Sequence, residues 1–296
     1  MCKPIAVVLC AVMVMADTAP LEPHAHFVAE ALEQLRFSDL GKAHDIFEAA
    51  VCHSAEGSVA WQQAIFGQAV CAQQITPPSA RRTDHARSLY RKLLESNPRS
   101  RFAARAWLNL GRIEELMELR QTPQRLEEAR RYYQEVVDRW PDQDIAGEAT
   151  LRIASTYVQT FQPDQVRQGM VMLGAWIEEH PDDPLASAMW QYKAQTHFYP
   201  LEEYRTSLAC YLEADRLGLM EPGRRGAIYW RMAAMADRML NDRDVAVTYY
   251  TKIIEVAPAS GKAYEAQLAL KRLGAVVPKI RIFNRTATGV SRQGKE

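Results

Sequence analysis

Apolar residues recur three and four positions apart over long stretches of this chain, a spacing that places side chains on one face of an α-helix. In the stretch from Ala86, for example, Tyr90 and Leu93 continue an apolar stripe that ends before Pro98, and a new stripe begins at Phe102. Proline disfavours a helical conformation in the residue before it and is well tolerated in the first turn of the next helix. The pattern therefore predicts two amphipathic helices separated by a sharp turn.

The same pattern returns along the chain at intervals of roughly forty residues, which is typical of helical repeat proteins. A small residue, an aromatic residue, an aliphatic residue and a proline occur at the same spacing in residues 86–98, 129–141 and 246–258. Weaker copies occupy residues 43–55 and 169–181. A further copy ends at Pro222 but carries one extra residue, so the pattern does not fix its phase. The predicted turns fall at positions 55, 98, 141, 181, 222 and 258.

A single helix pair of this kind cannot bury its apolar stripes by itself, so neighbouring pairs have to stack. The small residue allows two helices to approach closely, and the aromatic residue fills the space between adjacent pairs. We therefore expect an all-α chain in which helix pairs stack side by side.

The small, aromatic and proline positions resemble those of the tetratricopeptide repeat over roughly residues 24–273. The run from Pro98 to Gly111 is similar to the variant found in two bacterial envelope proteins, the outer-membrane assembly lipoprotein and the periplasmic Tol-Pal-associated factor. Unlike the assembly lipoprotein, the chain has no good lipid-attachment cysteine. Unlike the Tol-Pal-associated factor, it has no heptad segment before the first repeat. The resemblance implies a right-handed α-solenoid of about six helix pairs plus a C-terminal capping helix, over residues 17–274.

The resemblance further implies that the first helices of the pairs line a concave groove that binds a peptide or protein segment. Candidates for this groove lie on the non-packing side of the helices that follow each proline, at equal offsets from the turns. They are Arg105, Leu108, Arg112, Glu115, Glu148, Leu151, Ser155, Gln191, Gln195, Phe198, Tyr229, Met232 and Met239. Each could equally be a solvated or inter-repeat position.

The two ends of the chain differ from the repeats. Residues 5–16 form an apolar run that is too short to span a bilayer but has the length of a secretory signal, which predicts a signal peptide over residues 1–16 and a periplasmic location. The alternatives are a retained anchor and lipidation at Cys10, although Leu9 is large for the lipidation motif. Residues 275–296 are basic and small or polar at their end, which indicates a disordered tail or a segment that docks on a membrane surface or partner.

Charge and cysteine content narrow the function. Lysine and arginine equal aspartate and glutamate at 36 each, so the electrostatic footprint of nucleic-acid binding is missing. Without the signal, the cysteines are Cys52, Cys71 and Cys210, an odd number without a CxxC motif. This predicts neither a disulfide framework nor a zinc site, and we expect all three to be small core residues.

The chain carries no motif of a nucleophilic, metalloprotease or phosphate-loop site. His24 and His26 form an HxH pair without a third ligand nearby, and the acidic run at residues 178–184 falls on a predicted turn, where aspartate caps the next helix. We therefore expect no catalytic residue, cofactor or metal, and a protein-interaction scaffold of the bacterial cell envelope with an unidentified protein or peptide partner. The alternative is a helical-repeat enzyme or carbohydrate-binding protein, which requires an acidic pocket with paired carboxylates.

Overall fold

The computed structural model describes residues 25–36, 39–116, 122–219 and 222–279. Across these ranges the chain forms α-helices and one short 3₁₀ turn, without a β-strand. The helices are α1 (Ala25–Arg36), α2 (Leu40–His53), α3 (Val59–Gln74), α4 (Ala80–Ser96), α5 (Ala103–Leu116), α6 (Pro123–Arg139), α7 (Asp144–Val158), α8 (Pro163–Glu179), α9 (Ala186–Phe198), α10 (Tyr204–Leu217), α11 (Arg225–Arg238), α12 (Arg243–Val256) and α13 (Gly261–Arg272).

The predicted punctuation is confirmed, because each of the six turn positions lies between two helices. Position 98, for example, lies between α4 and α5, and position 258 lies between α12 and α13. The odd-numbered helices α1 to α11 are thus the first helices of six pairs and the even-numbered ones are the second helices. Helix α13 follows as an unpaired first helix within the described residues. The prediction of an all-α array of about six helix pairs plus a capping helix is therefore confirmed.

Side-chain caps begin many of these helices. Ser58, Ser79, Thr122 and Ser260 each accept a hydrogen bond from the backbone N–H three residues later, and so does Asp242. Such caps satisfy N–H groups that lack a partner inside the helix. The polar residues just after each turn thus define where each helix starts.

The described residues up to Asp183 form one compact unit, which contains α1 to α8. Consecutive helices pack against one another, and the first helices α5 and α7 also touch directly. The repeat positions Ala86, Tyr90 and Leu93 are fully buried. A Cβ on Gly111 would lie 2.4 Å from the Tyr133 ring, so the missing side chain lets α6 approach α5 closely.

The described residues from Pro184 onwards form the second compact unit, which contains α9 to α13. Its repeat positions Ala246, Tyr250 and Ile253 are also fully buried. Within this unit the first helix α11 packs against α12 and against the capping helix α13. The small, aromatic and aliphatic positions therefore form the core in both units.

Two cysteine predictions are confirmed and one is wrong. Cys71 and Cys210 are buried, and burial raises the pKa of the Cys71 thiol to about 12, so it stays protonated at neutral pH. Cys52 is exposed, because it lies near the end of α2 on a side that no neighbouring helix covers.

The predictions for the chain ends fall mostly outside the described residues. The predicted signal at residues 1–16, the His24 and His26 side chains and residues 280–296 of the basic tail are not among them. None of the helices in the described ranges combines the length and the apolarity that a membrane crossing requires.

Candidate protein-binding face

Helices α5 and α7, consecutive first helices of the first unit, are joined by side chains that the sequence assigned to the groove. The Arg112 guanidinium on α5 forms an ion pair with Glu148 on α7. Arg112 also donates a hydrogen bond to Asn109 Oδ1 at 3.3 Å. The structure thus brings two predicted residues together, as partners of each other. We call the side of the first helices that carries these residues the first-helix face.

A second connection centres on Glu115, whose side chain is 1% exposed. Its carboxylate accepts hydrogen bonds from Tyr133 Oη at 2.7 Å, from Ser155 Oγ at 3.2 Å and from Gln159 Nε2 at 2.7 Å. Arg152 on α7 lies 3.7 Å from the same carboxylate. Because the donors come from α6, from α7 and from its C-cap, Glu115 ties its own helix pair to the next pair.

The Tyr133 hydroxyl is held as a donor in this arrangement. Burial raises the pKa of Tyr133 far above its usual range, and the neighbouring charge of Glu115 raises it further. The hydroxyl therefore stays protonated at neutral pH, where it donates its hydrogen bond to Glu115. Glu115 was predicted as a groove residue, but it is buried and its oxygens are already engaged.

The polar line continues towards the N-terminal pairs through Tyr90. The Tyr90 hydroxyl donates to Gln73 Oε1 at 3.0 Å and accepts from Asn109 Nδ2 at 3.0 Å, and burial raises its pKa. Gln73 is the penultimate residue of α3. Side-chain hydrogen bonds and an ion pair thus run from α3 through α5 to α7. Sequence reasoning missed Gln73, Asn109, Arg152 and Gln159, although the tyrosine in each repeat signals that its hydroxyl needs a polar partner.

Of the remaining groove residues predicted in the first unit, one is buried and two have accessible side chains. Leu108 is 2% exposed and packs with Ala129 and Tyr133 in a core cluster, so its assignment to the groove is wrong. Arg105 and Leu151 are half-exposed, and Arg105 has no ion-pair partner among the described residues. Leu116, at the end of α5, is 52% exposed. The accessible part of the first-helix face therefore combines one unpaired cation with two leucines.

In the second unit, the predicted residues of α9 lie at or near the surface. Gln195 is exposed, and Gln191 is half-buried with its amide donating to the Ser187 carbonyl at 3.3 Å. Phe198 is half-buried and meets the Tyr204 ring edge-on, with ring centroids 5.6 Å apart. Gln191 and Gln195 are thus among the polar side chains of α9 that a partner could reach.

The predictions for α11 are partly wrong. Met232 is fully buried, and Tyr229 is 7% exposed with its hydroxyl donating to Asp215 Oδ1 at 2.8 Å. The repeat that ends at Pro222 carries one extra residue, and each residue of offset turns a helix position by about 100°. The assumed offset therefore selected buried positions. Met239 is 48% exposed, at the end of α11, and Arg231 and Arg238 are exposed residues that the sequence reasoning missed.

Asp215 is a carboxylate of the second unit whose side chain is 11% exposed, and it lies on a second helix, α10. It accepts hydrogen bonds from Tyr229 and Tyr249 Oη at 2.8 and 2.9 Å and from Lys252 Nζ at 2.5 Å. Burial alone would raise the pKa of Asp215, but these three donors outweigh it and the pKa is lowered. The same contacts raise the pKa of Tyr229 to about 12, with burial as the largest cause. Asp215 thus joins α10, α11 and α12.

A surface pocket of about 190 Å³ opens between α6, α7 and α8. Its lining includes Val137, Ile153, Met172 and Trp176, and Glu179 is the one carboxylate among its lining residues. This pocket does not offer the carboxylate pair that the enzymatic alternative requires.

The acidic run at residues 178–184 spans the turn after α8. Trp176 stacks on His180 with ring centroids 3.9 Å apart, and its indole N–H donates to Asp183 Oδ2 at 2.9 Å. A Cβ on Gly147 would lie 2.1 Å from Asp183, so that glycine makes room for the turn. These contacts give the run a structural role in closing the turn.

Comparison with known proteins agrees with this architecture. The model of the tetratricopeptide repeat family matches residues 105–142, which cover α5 and α6. No curated protein matches the chain. One similar solved structure is that of the PilF protein of Pseudomonas aeruginosa, which has 17% sequence identity and a TM-score of 0.51. The match covers 83% of this chain and 97% of that one. The C-terminal part of a repeat-containing protein of Cytophaga hutchinsonii has 16% identity, a TM-score of 0.58 and coverage of 83% and 87%.

Human IFIT1, solved as a dimer with m7Gppp-AAAA, matches with 12% identity and a TM-score of 0.62 over 91% of this chain and 62% of that one. Likenesses at this level of identity show the fold and leave the function open. The resemblance to the two envelope protein families is not confirmed by these comparisons. What the family match and the structural neighbours support is a tetratricopeptide repeat at residues 105–142 within a longer array of helix pairs of the same fold.

Proposed function

We propose that this protein is a protein-interaction scaffold of the bacterial cell envelope that binds a partner segment along its first-helix face. Repeat folds of this kind generally mediate binding between proteins. The observation that carries the proposal is the linkage of α5 to α7 through Arg112, Glu148 and Glu115. It holds the exposed side chains of two successive repeats in one fixed arrangement, which lowers the entropy that binding loses.

The chemistry of the accessible side chains indicates what the partner segment carries. Arg105 is a half-exposed cation without an ion-pair partner in the described chain, and arginine binds carboxylates through two parallel hydrogen bonds. Leu116 and Leu151 offer apolar surface. We infer that the segment presents an acidic group next to apolar side chains.

Site-specific photo-crosslinking tests this face directly. A photoreactive amino acid at position 105 or 151 is expected to crosslink one defined partner in envelope extracts. Matched controls place the same amino acid at Arg131 on α6 or Gln168 on α8, which are exposed residues of second helices. Crosslinking from the control positions alone, or with equal yield from all four, contradicts the proposed face.

The variant Arg105→Glu reverses the charge of the unpaired cation while leaving the core untouched. We expect partner capture to fall about tenfold or more, since one charge-assisted hydrogen bond contributes about 1.5–3 kcal/mol. Circular dichroism checks that the helical content is unchanged. If a folded Arg105→Glu variant captures the partner as well as wild type does, Arg105 is not part of the binding face.

The envelope location rests on the apolar run in residues 5–16 and is tested separately. Cell fractionation and N-terminal mass spectrometry are expected to find a chain that begins at Asp17 in the periplasm. A variant without residues 1–16 is expected to stay in the cytoplasm. Recovery of the uncleaved chain from the cytoplasm alone refutes the location and leaves the binding proposal standing.

A further inference from the structure

Two second helices of the first unit bring histidines and carboxylates together at a place that the binding proposal does not use. Helix α2 carries His44, Asp45 and Glu48, and one ligand atom from each lies within 4.8 Å of the others. His85 on α4 completes the group, with its ring centroid 5.8 Å from that of His44. Four side chains with metal-binding atoms thus meet between two helices.

The helix geometry favours a shared ligand. His44 and Glu48 are four residues apart, so they project from the same face of α2. In a tetrahedral site with metal–nitrogen bonds of about 2.05 Å, two imidazole ring centroids lie about 5 Å apart. The 5.8 Å between the His44 and His85 ring centroids is close to this value.

The charges at the site also suit a cation. Asp45 and Glu48 are exposed, and His44 and His85 are half-buried. The two carboxylates supply the negative charge that attracts a divalent cation.

We propose that His44, Glu48 and His85, with Asp45 as an additional carboxylate, bind a divalent metal ion. The ion that we expect is Zn²⁺. Imidazole nitrogen together with carboxylate oxygen is a donor set that zinc uses, whereas calcium and magnesium prefer oxygen alone. The ion joins α2 to α4, which are the second helices of two successive pairs. It therefore acts as a clamp that stabilises the N-terminal pairs of the array when the metal is present.

Isothermal titration of the metal-free, untagged full chain with ZnCl₂ tests the site. We expect about one equivalent to bind with roughly micromolar affinity or tighter, and the thermal midpoint to rise with free Zn²⁺. His44→Asn and His85→Asn are each expected to lower the affinity at least about tenfold. Glu48→Gln, which keeps the size of the side chain, is expected to act in the same direction.

Matched controls use other histidines of the chain. His53→Asn changes a histidine on the same helix whose ring lies against Phe27, 5.5 Å between centroids, and it is expected to leave zinc affinity unchanged. The double variant His24→Asn with His26→Asn tests the HxH pair near the N-terminus. Zinc binding that survives His44→Asn and His85→Asn but disappears in the double variant overturns the proposal.

Cobalt gives a second readout that does not depend on stability. Co²⁺ in a site with two imidazoles and one or two carboxylates is expected to show a visible absorption band that His85→Asn removes while circular dichroism stays unchanged. If the folded wild-type chain binds neither Zn²⁺ nor Co²⁺ stoichiometrically, the proposed site is also overturned. None of these outcomes depends on whether the first-helix face binds a protein.

Discussion

Glu115 and Asp215 are carboxylates of low solvent exposure that each connect neighbouring helix pairs, one from a first helix and the other from a second helix. Glu115 lies on the first helix α5 and receives its hydrogen bonds from Tyr133, Ser155 and Gln159. Asp215 lies on the second helix α10 and receives its own from the following pair, α11 and α12. Each one joins its helix pair to a neighbouring pair. The array is therefore held together by polar contacts as well as by its small and aromatic core.

The difference between the two carboxylates lies in the side they occupy. In the first unit the polar connection lies on the first-helix face and engages residues that the sequence marked for binding. In the second unit the connection lies among α10, α11 and α12 and engages one such residue, Tyr229, while Gln195 and Arg231 stay exposed on the first helices. The comparison shows that repeats with the same core residues can be connected by polar contacts on different helices.

Removal of Glu115 is the largest expected perturbation. Glu115→Ala leaves the buried Tyr133 hydroxyl and the Gln159 amide without an acceptor, and we expect the free energy of unfolding to fall by about 3 kcal/mol. Urea denaturation followed by circular dichroism measures this. Asp215→Ala is expected to have a smaller effect, because Lys252 is 37% exposed and can regain water. The control Glu127→Ala on the exposed side of α6 is expected to change stability by less than about 0.5 kcal/mol.

A glycine at a close helix contact in the first unit can be compared with a glycine at a looser contact in the second unit. Gly111→Ala places a methyl group against the Tyr133 ring at 2.4 Å, so we expect a loss of about 2 kcal/mol in unfolding free energy. Gly226→Ala, in the first turn of α11, meets nothing nearer than Ala257 at 3.4 Å and is expected to stay within about 0.5 kcal/mol of wild type. Chemical denaturation of both variants provides the test. Equal losses at the two sites contradict the argument from close packing.

The tyrosine of the repeat gives a subtler comparison. Tyr133→Phe removes a hydrogen bond to a buried carboxylate and is expected to lower stability by about 1.5 kcal/mol. Tyr211→Phe removes a hydrogen bond that the exposed Arg231 donates at 2.8 Å, and we expect less than about 0.5 kcal/mol, because the guanidinium regains water. Differential scanning calorimetry of the two variants distinguishes these cases. A larger loss for Tyr211→Phe reverses the comparison.

The smallest expected effect concerns the pH dependence of the second unit. Because the folded-state pKa of Asp215 is lowered, its contribution to stability is present above its ordinary value of 3.8 and is lost as the pH falls through the folded-state pKa. Asp215→Asn is therefore expected to be less stable than wild type by about 1 kcal/mol near neutral pH. This gap narrows in acid below about pH 4. Urea midpoints over that range test it, and a gap that does not change with pH contradicts the role of the charge.

Helix pairing was predictable from the sequence because it depends on local spacing. The stripe from Ala86 to Leu93 and the break at Pro98 each follow from residues that are close in the chain. The same is true of Arg105 and Leu151, which lie at the surface seven residues after Pro98 and ten residues after Pro141. These predictions needed only the period of the α-helix and the properties of proline.

The status of individual groove residues was less predictable. Leu108 was misassigned because the buried stripe of α5 is wider than the spacing indicates, and Tyr229 because one extra residue rotates the register of α11. The cluster of His44 and His85 escaped the sequence reasoning as well, since these residues are far apart in the chain. Local periodicity does not show which side chains of different helices meet.

The sequence by itself determined that this protein consists of successive helix pairs, where the turns between helices fall, and which small and aromatic residues of the clear repeats form the core. These features depend on backbone preferences and on apolar spacing within one helix. Only the tertiary structure decided that Arg112 pairs with Glu148, that Glu115 is buried and that His44 faces His85. Such contacts depend on distances of a few ångströms between helices, which are set by how the whole array packs.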